Sequence, residues 1–261
     1  MLLKKFILIT SLTLVLIGTS HPAHAADTTD TDGDGLSDYD EVHLYHTDPN
    51  KSDTDGDSYS DQDEVVNGFS PLIAGKKMND VDTDSDGLND AVEIALSTDL
   101  TNQDTDHDGY ADGIEVANGF NPLVGDKDRS LSRTVKVDLT TQQLSYYLNQ
   151  VKVGSVPVST GLLRTQTPAG TFSIMRKLPI HRYTGPNYDY PNTKWNMEFK
   201  RSYYLHEAYW HHEFGKRPMS HGCVNLATAD AATLYKFLDV GDKVSISGKT
   251  PRVVKPSLAL K

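Results

Sequence analysis

The 261-residue sequence holds a single cysteine and only two tryptophans. One cysteine excludes an intramolecular disulfide, so no covalent staple supports the fold. Long apolar runs are also scarce. The one near the start, Phe6 to Gly18, spans 13 residues, fewer than the ~20 that a membrane-spanning helix needs. Basic residues are nearly missing from the first half: residues 27–128 carry 28 Asp and Glu against 4 Lys and Arg. Residues 129–261 reverse the balance, with 8 acids and 19 bases. The overall net charge of −11 therefore hides two oppositely charged modules. A block as acidic as the first repels itself and needs counter-ions to become compact. The basic half suits an anionic polymer, or serves solubility alone.

The first residues combine Lys4 and Lys5, the short apolar run and Ala23-His24-Ala25. A charged start, an apolar core and a small-residue exit predict a secretory signal peptide over residues 1–25. The expected mature protein is exported, to the periplasm or the cell wall, and is not membrane-bound after cleavage. A lone cysteine in an exported chain means intermolecular pairing, an inert buried thiol or a reactive one.

Four acidic segments share one spacing. The first places acids at Asp30, Asp32, Asp34, Asp38 and Glu41, the second at Asp53, Asp55, Asp57, Asp61 and Glu64. The third uses Asp82, Asp84, Asp86, Asp90 and Glu93, the fourth Asp104, Asp106, Asp108, Asp112 and Glu115. These are loop positions 1, 3, 5, 9 and 12. Position 7 supplies a backbone carbonyl, from Leu36, Tyr59, Leu88 and Tyr110. Calcium takes about 6–8 hard oxygens at about 2.3–2.6 Å, and a glycine at position 6 permits the sharp turn. Gly35, Gly87 and Gly109 meet that need, whereas Ser58 stands in the second loop, which is expected to be the most distorted. The predicted cofactor is structural calcium, with folding and binding as one event.

The loops form two tandem copies. Asn67-Gly68-Phe69-Ser70-Pro71-Leu72 recurs as Asn118-Gly119-Phe120-Asn121-Pro122-Leu123, and such a period signals a stacked array. Only 11 residues separate Glu41 from Asp53, and Thr47-Asp48-Pro49-Asn50 interrupts them. No calcium hand with a long helix on each side fits there. The pattern resembles bacterial thrombospondin type 3 repeats over roughly residues 30–125. That resemblance implies a compact stack built around calcium with little apolar core, in which Phe69 and Phe120 supply packing contacts.

The second half alternates apolar and polar residues, as in Val135-Lys136-Val137-Asp138-Leu139 and Leu144-Ser145-Tyr146-Tyr147-Leu148. Period-two alternation predicts half-buried strands at 135–139, 144–148 and 151–153. Further strands are expected at 155–159, 171–175, 203–206 and 243–247. Residues 228–238 predict the one clear helix, with Thr228 as N-cap, Asp230 in the first turn and Ala232, Leu234, Tyr235 and Leu238 as the apolar face. The Tyr- and Pro-rich stretch from Tyr183 to Phe199 suits a long loop or lid at a cleft edge, with Tyr190, Trp195 and Trp210 lining the cleft. Arg217 is a candidate for binding substrate carboxylates. The adjacent His211 and His212 point to opposite faces if extended, which favours surface or cleft-rim roles over a metal pair. His181 receives no role.

The informative stretch is Ser220-His221-Gly222-Cys223-Val224-Asn225-Leu226. A free thiol ionises near ~8.5 and needs a base or cation to become a good nucleophile at neutral pH. His221 would flank Cys223 if both lay on one strand face, and His206 could approach from a neighbouring strand. Gly222 would let a backbone N–H approach an oxyanion without a Cβ in the way. On spacing alone, a reactive thiol and a buried structural cysteine remain alternatives.

Together with Val158-Ser159-Thr160-Gly161, Thr167-Pro168-Ala169-Gly170-Thr171-Phe172 and Leu205-His206-Glu207-Ala208-Tyr209-Trp210-His211, this stretch resembles the L,D-transpeptidases of the YkuD type over roughly residues 131–250. Glu207 departs from the family, where a small residue often follows the histidine. The resemblance implies a mainly β domain, a β-sandwich with a minor helix, behind the calcium-loop module. The implied boundaries are repeats over 27–128, a catalytic domain over 129–250 and a tail over 251–261. It implies acyl transfer on peptidoglycan stem peptides, with no nucleic acid involved and the chain a monomer. Cys223 would be the nucleophile and His206 the base, oriented by the Glu207 carbonyl. His221 would position substrate, and the N–H groups of Gly222 and Cys223 would bind the oxyanion. Ser220 and Asn225 would brace the loop. The rivals are hydrolysis of the same substrate, as a carboxypeptidase or endopeptidase, and a non-enzymatic calcium-dependent adhesin.

Overall fold

The computed structural model describes residues 29–125 and 127–252. The expected signal segment and nearly all of the 251–261 tail lie outside the described residues. Among the described residues no helix is long and apolar enough to cross a membrane.

Each acidic loop runs into a short helix that begins at loop position 9. Helix α1 covers Asp38–Asp40 and continues as a π-turn over Glu41–Tyr45. Helices α2 (Asp61–Asn67), α3 (Asp90–Leu96) and α4 (Asp112–Asn118) follow the other loops. Left-handed residues end each one: His46, Gly68, Ser97 and Gly119. Such a C-cap stops the helix after two turns or fewer and turns the chain toward the next loop.

Among the described residues, the second half contains nine strands. Strands β1 (Arg133–Asp138), β2 (Gln143–Leu148), β3 (Val151–Pro157), β4 (Gly170–Ser173) and β9 (Lys243–Ser247) make a sheet of order β3-β2-β1-β9-β4. Strands β5 (Arg176–Gly185), β6 (Tyr188–Lys200), β7 (Tyr203–Glu207) and β8 (Val224–Leu226) make a second sheet in chain order. The pairs β1/β9 and β7/β8 are parallel. Alternation explains the layering: Val135 and Val137 are buried while Lys136 is exposed. Both sheets feed one core, with Leu144, Leu148, Val244 and Ile246 from the first and Met197, Leu205, Val224 and Leu226 from the second. Full burial of each such side chain contributes about 1.5–3 kcal/mol. Asn149 and Gln150 both take positive φ, the conformation of a tight two-residue hairpin turn.

Several local expectations are corrected. The strands expected at 151–153 and 155–159 merge into one, β3, which ends at Pro157. The stretch from Tyr183 to Phe199 is not a loop but most of the β5–β6 hairpin, because its aromatic and β-branched residues pair across strands. Thr228 is the first residue of helix α5 (Thr228–Phe237), which Ala227 precedes without a side-chain cap. Its buried face is Ala231, Leu234 and Phe237.

The charge boundary near residue 128 does not separate two cores. Leu88, Leu96 and Val116, from the third loop and from α3 and α4, belong to the same apolar cluster as Val135 and Phe237. Helix α4 packs on α5 and α3 on β3. Arg129 ties the ends together: its Nη2 donates to the carbonyls of Asn118 (2.7 Å), Lys236 (3.0 Å) and Phe237 (2.8 Å). These are otherwise unsatisfied carbonyls at two helix C-termini, where a cation is favoured. Gly119 sits so close that a Cβ would meet the Phe237 carbonyl at 2.4 Å. The buried apolar residues of the first loop pair, Leu36 and Met78, are not in that cluster.

Candidate functional site

Parallel pairing of β7 with β8 sets His206 opposite Asn225. Leu205 and Val224 point into the core, so His206 and Asn225 take the opposite face. Cys223 lies two residues before Asn225, on a bend that leads into β8. Cys223, His206, His221, Ser220 and Asn225 all line one cleft of about 160 Å³, with Tyr183, Tyr188, Tyr190, Ser202, Trp210 and Met219. Its location at the end of a parallel strand pair brings residues 17 apart in sequence into one pocket.

Hydrogen bonds hold the cysteine bend tightly. Ser220 Oγ donates to the Cys223 carbonyl (2.6 Å) and accepts from the Gly222 N–H (3.0 Å). Thr165 Oγ1 donates to the Ser220 carbonyl, and Ser159 and Asn225 exchange backbone hydrogen bonds. The buried Gln142 in turn brackets Thr160 through both ends of its amide. The segments 158–161 and 165–167 are thus the frame of the bend. Gly222 has φ +126°, and a Cβ there would meet Tyr203 at 2.7 Å. This corrects the expected role of Gly222: its N–H is spent on Ser220, and its glycine identity serves backbone shape and space. His221 also reaches the cleft differently from expectation. It lies on the bend rather than on a strand, is exposed, and stacks on Tyr188 with centroids 4.8 Å apart.

The His206 ring is buried, and its Nδ1 lies 2.6 Å from the Glu207 carbonyl. A carbonyl can only accept, so Nδ1 carries the proton and Nε2 keeps its lone pair. Burial pushes the His206 pKa down to about 4, opposed by that hydrogen bond. Burial likewise pushes the Cys223 thiol up to about 11, opposed by the Tyr204 backbone N–H. The resting pair at neutral pH is therefore thiol and neutral imidazole, not the anionic sulfur that a simple Cys–His pairing suggests. Tyr183 covers the imidazole, stacked at 4.5 Å, and its hydroxyl donates to Asn196.

The tyrosine wall was only partly legible. Tyr190 stacks on Trp210 at 3.7 Å and both line the cleft. Trp195 does not; it packs on Tyr235 of α5 instead. Tyr183 and Tyr188 were missed as lining residues, although the tyrosine richness of the stretch was the available sign. Arg217 pairs with Glu213 and does not line the cleft. His211 contacts Asn225 through Nε2 at 2.9 Å and accepts from the Glu213 N–H. His181 stacks on Tyr204 and meets Tyr183 edge-on.

In the acidic half, the side chains at positions 1, 3 and 5 converge in every loop, with oxygens of Asp30, Asp32 and Asp34 and of the three equivalent trios within 4.8 Å of one another. Buried oxygens of Asp32, Asp55, Asp84 and Asp106, and of Glu41, Glu64, Glu93 and Glu115, have no hydrogen-bond partner. Positions 3 and 12 thus each keep at least one orphaned oxygen in all four loops, which is the donor set a hard cation satisfies. Without one, burial and the neighbouring acids raise Glu93 to about 9 and Glu115 to about 8. Position 9 behaves differently. Both oxygens of Asp38, Asp61, Asp90 and Asp112 accept from the threonine at position 2 of the same loop, as in the Asp61 bonds from Thr54 N (2.9 Å) and Oγ1 (2.7 Å). Those acids clamp the loop to its helix. The second loop is not distorted: Ser58 adopts φ 83°, and its N–H donates to Asp53 as Gly35 does to Asp30.

Residues 132–246 match the L,D-transpeptidase catalytic domain, YkuD. The match takes in the nine strands, save Ser247 at the end of β9, and the cysteine bend. Residues 30–52, 82–99 and 104–125 match the bacterial TSP3 repeat; the second loop lies outside those matches. Among solved structures, an L,D-transpeptidase from Mycobacterium smegmatis is similar at 23% identity, with 45% of this chain and 59% of that one covered and a TM-score of 0.43. One from Mycobacterium tuberculosis H37Rv has 22% identity, coverages of 49% and 62% and a TM-score of 0.44. One from Stackebrandtia nassauensis has 32% identity, coverages of 46% and 57% and a TM-score of 0.40. The chain thus spans about six-tenths of the length of these relatives. No curated protein matches the sequence. Within the matched region, the cysteine bend, the β7 histidine and the tyrosine hairpin form the cleft.

Proposed function

We propose that the chain is an exported peptidoglycan L,D-transpeptidase with Cys223 as nucleophile and His206 as base. The observation that carries this reading is the tautomer of His206: Nδ1 bound to the Glu207 carbonyl leaves Nε2 as a proton acceptor in the cleft that Cys223 lines. The donor would be a stem peptide whose third residue is a diamino acid. As Sγ attacks its carbonyl carbon, the thiol proton passes to Nε2. This suits a neutral pair, because charge develops only in the transition state. The oxyanion would meet the Cys223 N–H, where one such donor is worth about 3 kcal/mol. Collapse breaks the peptide bond. His206 returns the proton to the departing D-alanine amine, and a thioester remains. An amine of a second stem then attacks the thioester, gives its proton to Nε2, and releases the cross-linked product with the thiol restored. Ser220 and Gly222 hold the bend, and His221, with Tyr188 and Tyr190, borders the donor.

The cation in the acidic loops is proposed to be calcium, held by positions 1, 3, 5 and 12 and the position-7 carbonyls. It would supply the positive charge that lets the buried acids coexist. The signal segment at residues 1–25 and the wall or periplasmic location belong to the same reading. Muropeptide digestion with the wild type and Cys223→Ala tests it. New cross-linked dimers support transfer, tripeptides alone mean hydrolysis, and equal products from both proteins sink the enzymatic account.

A further inference from the structure

We propose that Glu207 is a positioning residue that fastens the tyrosine hairpin to the catalytic histidine. The inference rests on the acyl-transfer reading of Cys223 and His206. Glu207 acts with two parts. Its carbonyl accepts from His206 Nδ1, which any residue could do. Its side chain, only 3% exposed, accepts the backbone N–H of Lys194 on β6 at 2.6 Å. A charged acceptor on a backbone donor in a buried place makes a strong hydrogen bond.

The position of that bond explains its use. Strand β6 pairs with β7 from Lys200 only as far as Met197, opposite Leu205. Beyond it, Trp195 and Asn192 take φ of 60° and 59°. Left-handed residues of this kind bend a strand out of its ladder. Lys194 therefore has no ladder partner on β7, and the Glu207 side chain takes its N–H instead. From this root the hairpin carries three rings onto the site: Tyr183 on His206, Tyr188 on His221 and Tyr190 on Trp210. A side chain as short as that of alanine could not reach β6 from this place. The acid thus converts a free hairpin into a fixed wall, and it keeps Tyr183 over the imidazole.

Loss of the anchor should let water reach His206. The ring is faced by Tyr183 from β5 and by Trp210 beyond β7, with His181 on β5, Cys223 before β8 and His211 beyond β7 as its titratable neighbours. All of these remain in a Glu207 variant, and Glu207→Gln loses the same carboxylate charge, so a change in titration that Gln does not share reports cover by the hairpin. The test compares the full chain with Glu207→Ala, Glu207→Gln and Glu207→Met, the last keeping volume without an acceptor. Donor KM should rise about tenfold in the Ala and Met variants, the effect of losing one charged hydrogen bond. The acid limb of kcat/KM should move up by about one pH unit as burial is relieved. Amide exchange should quicken over 183–195 and stay slow in β7 and β8. The Gln variant, which keeps an acceptor oxygen, should restore all three. Unchanged KM, acid limb and exchange in Glu207→Met would overturn the role. So would a loss in Gln equal to that in Met. Exchange is read without turnover, so a failed anchor is separable from a failed acyl-transfer reading, which retained activity in Cys223→Ala would show.

Discussion

Calcium should stabilise the catalytic domain, not just the loops that bind it. Val116 is 2% exposed, belongs to the core that includes Val135 and Phe237, and directly follows Glu115, the last acid of the fourth loop. Leu96 follows Glu93 by one helical turn and joins the same core. A cation that fixes α3 and α4 therefore fixes one wall of the domain holding Cys223. One site at a hundredfold excess over its dissociation constant adds about 2.7 kcal/mol, so the third and fourth loops together add about 5 kcal/mol. For a domain of this size that is roughly 10–20 °C in melting temperature. Both tryptophans, Trp195 and Trp210, lie in the β domain, and Trp195 packs on α5, the helix that α4 contacts. Tryptophan fluorescence thus reports that domain alone. Its midpoint should rise on adding calcium to chelated protein. Glu115→Gln should remove much of the rise, and Glu41→Gln in the first loop should leave it. Calorimetric binding of calcium with an unmoved tryptophan midpoint would refute the shared-core argument. Absence of any binding would instead remove the cation itself.

Three further outcomes follow from the site and loops. The His206 pKa of about 4 means that the neutral base persists above that value and is lost as pH falls through it; kcat/KM at pH 5 should stay near about nine-tenths of its neutral value, whereas an imidazole at its ordinary ~6.5 would keep only about one twenty-fifth. A pH–rate profile with its acid limb near neutrality would sink that assignment, provided circular dichroism shows the fold intact. Gly222→Ala forces a Cβ toward Tyr203 at a φ that side chains avoid, at a strain of about 1–3 kcal/mol, and should slow thioester formation by at least tenfold in a single-turnover assay with little change in the loop module. Ser58→Gly relieves a left-handed serine and should stabilise the second loop by about 1 kcal/mol, seen as tighter calcium binding there by titration calorimetry.

The position 1-3-5-12 spacing of the acids, the alternation in β1 and β2 and the Ser220–Asn225 stretch were legible because each is a short-range pattern. A carboxylate two residues on, or a side chain on the same strand face, is placed by local backbone geometry whatever surrounds it. So the cation loops, the β-rich class and the cysteine with its candidate histidines could be read from residue order. The hairpin from Tyr183 to Phe199 could not. Its strands exist through pairing with each other and with β7, and its Pro, Gly and Asn content argues locally for a loop. The availability of backbone donors was equally hidden: Gly222 looked free for an oxyanion until the bend turned its N–H onto Ser220.

Residue order by itself determined which groups could do chemistry and which segments could gather cations, since spacing along a chain fixes what neighbours share. Tertiary structure alone decided the protonation of the reacting pair, because burial beneath Tyr183 and contact with the Glu207 carbonyl arise only when β5 and β7 lie side by side. It also decided that two oppositely charged halves own one core: Arg129, Val116 and Phe237 meet across more than 100 residues, and no local pattern encodes a contact made at that distance.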